Sequence, residues 1–115
     1  MENLTFGEYL KKIRVENKIS QRDLAAQIGV DFTYLSKIEN NKMAPPSEET
    51  IKKIAQALNE NVDNLILLAN KIPSDYKEVL KASEQIPLML RKISNFSPEQ
   101  QQKAMDAIIE IEKGS

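Results

Sequence analysis

The sequence predicts an all-α protein, and three observations carry that expectation. Apolar residues recur at three- and four-residue spacing in segment after segment, strong helix formers dominate the composition, and no run reads as a β-hairpin. A chain of 115 residues makes one small core, or one core with an appended oligomerisation element. Two segments are therefore expected, residues 1–72 with the core and residues 73–115 as a helical extension.

The first helix is expected over residues 5–17, where Phe6, Leu10 and Ile13 form one apolar stripe. Ser20 then offers an N-cap hydroxyl to a second helix, Gln21 to Ile28, with Asp23 placed to complete a capping box and Gly29 to stop it. Only Gly29, Val30 and Asp31 precede a third helix, which Asp31 caps and which carries Leu35 and Ile38 inward. Pro45-Pro46 breaks the chain, and Ser47 caps a fourth helix with Ile51, Ile54, Ala55 and Leu58 at core spacing. A fifth, over residues 62–70, holds the unbroken apolar run from Leu65 to Ala69. Such a run exceeds one stripe, so a second side should be covered, with the residues after Pro73 as the candidate cover.

Three further helices are expected over residues 75–83, 86–95 and 98–112. Ser97, Pro98 and Gln100 supply N-cap, first-turn proline and capping-box partner for the last of them. On that helix Ala104, Met105, Ala107, Ile108, Ile109 and Ile111 cover more than one face. Pairing with a second copy is the simplest use for so much apolar surface, because isolated helices are marginal in water.

Composition removes whole classes of function. With no Cys and no His there is no disulfide, no thiolate or imidazole metal site, and no Ser/His or Cys/His nucleophilic pair. The carboxylate pairs Glu48-Glu49 and Glu110/Glu112 sit at helix ends without convergent partners, and no glycine-rich phosphate loop occurs. The expectation is a protein that is not an enzyme and takes no metal or cofactor. No stretch approaches the roughly 18 apolar residues of a membrane span, and the first residues lack the features of a signal peptide, so a cytoplasmic protein is expected. A net charge of −1 means that any affinity for nucleic acid must be local.

The local case lies between Gln21 and Ile38. Leu24, Ile28, Leu35 and Ile38 are apolar where two crossed helices must pack, Ala25 is small where backbones come closest, and Gly29 can take the positive φ of a tight interhelical turn that Val30 closes. These residues, with Ser20-Gln21, the run Tyr34-Leu35-Ser36-Lys37-Ile38-Glu39-Asn40 and the later Ile54-Ala55 and Leu58, resemble the phage-repressor-like, or XRE, family of helix-turn-helix regulators across residues 4–70. The resemblance implies a five-helix, lambda-repressor-like DNA-binding domain. In that family the third helix enters the major groove and the second crosses above it, usually as a dimer on a palindromic operator.

By position, the resemblance implies that Gln21 fixes the second helix to a phosphate and that Phe32, Thr33, Ser36 and Lys37 meet base edges. Tyr34, Asn40 and Lys42 would contact phosphates beside them, and Arg14 and Glu39 would form a partly buried structural ion pair. Phe32 stands where a polar residue is common, and Asn41 where Gly is usual; Asn tolerates the left-handed conformation.

Residues 1–72 hold 10 basic and 10 acidic side chains, so nonspecific affinity should be modest and two linked half-sites are favoured. Ile86, Leu90, Ile93, Ile108, Ile109 and Ile111 are the candidates to build the homodimer, or else they complete the core of one chain. The expected function is a sequence-specific regulator of transcription, a dimeric repressor that reads double-stranded DNA with residues 32–40. The alternative is a protein-interaction module, such as an antitoxin or phage-immunity partner. Its C-terminal helices would bind a toxin, an antirepressor or a protease, with DNA binding secondary or autoregulatory.

Overall fold

Residues 3–114, which a computed structural model describes, form eight α-helices with no strand among them. The first five are α1 (Phe6–Glu16), α2 (Gln21–Ile28), α3 (Phe32–Glu39), α4 (Glu48–Leu58) and α5 (Val62–Leu68). Each begins on a side-chain cap: Thr5, Ser20, Asp31, Ser47 and Asn61 accept from backbone N–H groups of the first turn that would otherwise lack a partner. At Thr5 the capping box is complete, with Glu8 returning a carboxylate to the Thr5 N–H; at Ser20 the structure holds the hydroxyl half of the box.

All five also end alike. The chain turns through one left-handed residue, and the next N–H reaches back to a carbonyl five residues earlier, as from Ile19 to Arg14, Val30 to Ala25, Lys42 to Lys37, Glu60 to Ala55 and Lys71 to Ile66. Glycine holds that left-handed position only at Gly29, with φ 73°; elsewhere it is Lys18, Asn41, Asn59 or Asn70.

The core of this first unit joins the stripes the periodicity defines. Leu10, Ile13, Leu24, Leu35, Ile51, Ile54 and Leu58 are buried together, closed by Leu65 and Ile66 from α5. Helix α1 approaches the end of α3 so closely that a Cβ on Gly7 would strike the Ile38 carbonyl oxygen and lie 2.9 Å from Asn41 Oδ1. The Thr5 hydroxyl donates to the same Asn41 oxygen. One expectation fails in α5: Leu67 is 50% exposed, so its second side is not covered. The helix has only seven residues, and Leu67 projects roughly 200° around the axis from Leu65, away from the side that Leu65, Ile66 and Ala69 bury.

The chain divides between Pro73 and Ser74, and the second unit is built differently. It contains α6 (Ser74–Ala82), α7 (Gln85–Ser94) and α8 (Pro98–Lys113), the last started by the complete Ser97–Gln100 capping box with Pro98 in its first turn. None of its three helices has a buried residue. Ile86 and Ile93 are half-buried, whereas Leu90, Ile108, Ile109 and Ile111 are exposed. No helix among the described residues is long and apolar enough to cross a membrane.

Candidate nucleic-acid interface

Helices α2 and α3 are set by a turn that leaves little freedom. Gly29 takes the left-handed conformation, its N–H and that of Val30 close the last carbonyls of α2, and Asp31 immediately caps α3 through the Thr33 N–H. Leu24, Ala25 and Ile28 pack from one helix and Leu35 and Ile38 from the other, all buried. On α3 the buried positions fix the opposite face. Thr33, Ser36, Lys37 and Asn40 form an outward stripe at helical spacing, with Thr33, Lys37 and Asn40 exposed and Ser36 half-buried.

A buried polar network braces the far end of this face. Arg14 of α1 grips Glu39 with a fork, Nε to Oε2 at 2.7 Å and Nη2 to Oε1 at 3.1 Å, and its Nη1 donates to the Ile19 carbonyl at 2.8 Å. Gln21, at the start of α2, adds a bond from Nε2 to Glu39 Oε1 at 2.8 Å. Three helices are thus tied through one carboxylate, whose oxygens accept three hydrogen bonds. Among the described residues no buried side-chain polar atom lacks a partner. The consequence for the surface is electrostatic: the acid of α3 is matched inside the protein, while Lys37 and Lys42 stand exposed beside it.

The residues assigned by resemblance are therefore not equivalent in place. Thr33, Ser36 and Lys37 share the open face of α3. Phe32 does not: its ring lies half-buried against the core, and the Arg22 guanidinium sits over it, 4.5 Å from the ring centroid. An aromatic ring at a helix start beside an apolar core loses less to water lying down than standing out, so Phe32 is placed differently from the open stripe. Gln21 has spent one amide N–H on Glu39 and retains a second. Asn40 turns its amide back to the Ser36 carbonyl at 2.9 Å, because the last carbonyls of a helix want donors. Tyr34 packs its ring against the core, and Lys42 is exposed on the turn, its backbone N–H closing α3.

Two contributors escaped sequence reasoning. Gly7 had a signal, since glycine inside an otherwise regular helix costs stability and marks a close backbone approach. Arg22 had none, because its partner lies 10 residues away on another helix.

Comparison with known proteins places this geometry. A family model described as Helix-turn-helix matches residues 10–65. The HTH-type transcriptional repressor RghR of Bacillus subtilis (strain 168) is 40% identical over 68 residues, 59% of this chain and 50% of that protein, so the chain spans about half the length of this relative. The immunity repressor protein of Bacillus phage phi105 is 30% identical over a match covering 93% of this chain and 81% of the repressor. Among solved structures, SinR in complex with DNA superposes with a TM-score of 0.51 at 34% identity, covering 54% of this chain and 98% of that one. The SinR–SinI protein complex gives 0.53 at 26% identity, covering 96% and 100%. The turn at Gly29, the packed α2–α3 pair and these matches together mean that the chain belongs to the phage-repressor-like family of helix-turn-helix transcriptional regulators.

Proposed function

We propose that this protein is a cytoplasmic, sequence-specific DNA-binding repressor of transcription that reads a palindromic operator as a homodimer. The observation that carries the reading is the outward stripe of α3. Thr33, Ser36 and Lys37 present hydroxyls and a cation on one exposed face of a helix whose ends are fixed by the Gly29 turn and the Arg14–Glu39–Gln21 network. In the major groove Lys37 donates to guanine O6 or N7, and Thr33 and Ser36 bond several base edges. Gln21, with its second amide N–H and the first backbone N–H groups of α2, faces a phosphate, as do Tyr34, Asn40 and Lys42. The relatives named as repressors and the solved SinR–DNA complex support this reading.

Dimerisation is assigned to the second unit. Helices α6 to α8 bury nothing of their own, although Leu90, Ile108, Ile109 and Ile111 are large apolar residues. Two copies joined there would hold two α3 helices about 34 Å apart, the spacing of half-sites one turn of DNA apart. The same bare apolar surface favours a second reading, in which the extension takes a protein partner such as an antirepressor, a toxin or a protease. A solved complex named for two proteins, SinR and SinI, matches nearly the whole chain.

Selection of bound duplexes from a random pool tests the DNA reading, and a two-fold symmetric motif is expected. Binding without base preference would contradict it. Light scattering tests the dimer: the full chain should have twice the mass of its Ile108→Asp, Ile111→Asp variant. A full chain of monomer mass would leave the extension to a protein partner.

A further inference from the structure

Arg22 is an exposed cation on α2 that reaches the start of α3 and is held there by a ring. Its guanidinium lies over the Phe32 ring at 4.5 Å from the centroid, and it takes part in no ion pair among the described residues. Stacking engages the flat face of a guanidinium, whereas its five N–H donors lie in its plane. The ring contact places the group, and among the described residues no hydrogen bond draws on its donors. Phe32 can act as a platform because its own ring is anchored, half-buried, against the core.

The position on α2 indicates what those donors meet. Arg22 is the second residue of that helix, next to Gln21, and Ser20 caps only the Asp23 N–H, leaving the first two backbone N–H groups of α2 directed outward. In a helix-turn-helix the first helix crosses the sugar-phosphate backbone while the recognition helix takes the bases. We infer that Arg22 is a DNA phosphate contact, forked onto the backbone where α2 crosses it, and that Phe32 is its positioning residue rather than a reader of bases. This inference rests on the DNA-binding reading above. It assigns Phe32 a function that acts only through Arg22: the ring holds the guanidinium in a bound-like geometry, so less side-chain freedom is lost on binding.

The test uses the full chain, titrated onto a 30-base-pair duplex of mixed sequence and, separately, onto the motif selected from the random pool, across NaCl concentrations. Arg22→Ala is expected to weaken binding to both duplexes alike, by about 3- to 10-fold at about 0.1 M salt. The slope of log affinity against log salt should flatten by about 0.9 per bound chain, the signature of one lost phosphate contact. Phe32→Leu, which keeps apolar packing but removes the ring face, should lose part of the same affinity. Phe32→Tyr should restore it, and Phe32→Leu should add nothing in the Arg22→Ala background. Base preference in the selected motif should be unchanged in every variant. An Arg22→Ala protein with wild-type slope overturns the phosphate contact, and a Phe32→Leu protein with altered preference at one base overturns the platform. If the wild-type chain binds neither duplex, the proposed function fails and takes this inference with it. Wild-type binding with an unaffected Arg22→Ala variant defeats the inference alone.

Discussion

At the residue scale, the stability of the first unit is concentrated in a few contacts that do not tolerate approximation. Gly7 is one: because a Cβ would collide with the Ile38 carbonyl, Gly7→Ala must push α1 away from the end of α3. Overpacking of this kind costs about 1–3 kcal/mol, a large share of the few kcal/mol that hold a small domain, and urea unfolding should show it. Arg14→Ala should cost about 3–5 kcal/mol, since Glu39 would be left charged and buried with only Gln21 as a partner. The same variant should keep the wild-type DNA motif below its melting temperature, and an unaltered melting temperature would contradict the structural role. Tyr9 adds a dependence on pH. Burial first, and then the Glu60 carboxylate that its hydroxyl approaches, raise its pKa above 10.0. The stability this contributes is fully present below about pH 10 and is lost as pH rises through the raised value. Tyr9→Phe should accordingly lose a little stability at neutral pH, where the hydroxyl's bond to Glu60 disappears, and soften the alkaline loss.

At the scale of the element, the sequence was most readable where a single side chain decides the local structure. Ser20, Asp31, Ser47 and Ser97 announce helix starts because their oxygens compete for first-turn N–H groups, and the caps are found at those residues. Helix ends were harder. Gly29 and Asn41 belong to residue types that enter the left-handed region readily, but Lys18, with φ 58°, does not, and only the tertiary arrangement explains why it is there. Lys18→Gly should relieve that conformation and stabilise the protein by up to about 1 kcal/mol, the net of the relieved strain and the greater freedom glycine gives the unfolded chain. A fall in melting temperature would show that the lysine side chain does more than occupy the turn. Helix α5 misled for a related reason: in a segment of seven residues an apolar run gives no angular information, and Leu67 is half exposed. The Arg14–Glu39 pair was available only through resemblance, since 25 residues separate the partners, and Gln21 as their third member was not foreseen.

At the scale of the whole molecule, the two units differ in what they bury, and the proposed dimer would use that difference. The first has a closed core drawn from all five helices. In the second, 35 helical residues bury none, and residues as large as Ile108, Ile109 and Ile111 remain open, so its apolar free energy is released only when another surface covers it. The first unit has equal numbers of basic and acidic side chains, so one copy would hold DNA weakly and the proposed pair, on two half-sites, strongly. The open stripe of α3 was legible from spacing alone once the buried positions were known. The withdrawal of Phe32 from it was not, because that depends on a ring and a guanidinium from different helices finding each other.

In the proposed function Thr33, Ser36 and Lys37 read base edges from a helix held in place by the rest of the domain. The most direct test is parallel selection from a random duplex pool, at near-physiological salt, with the wild-type chain and a Ser36→Ala, Lys37→Ala variant. A palindromic motif is expected for the wild type, with specific bases lost or relaxed within it for a variant that melts at the same temperature. An identical motif from both proteins would mean that α3 does not read the bases.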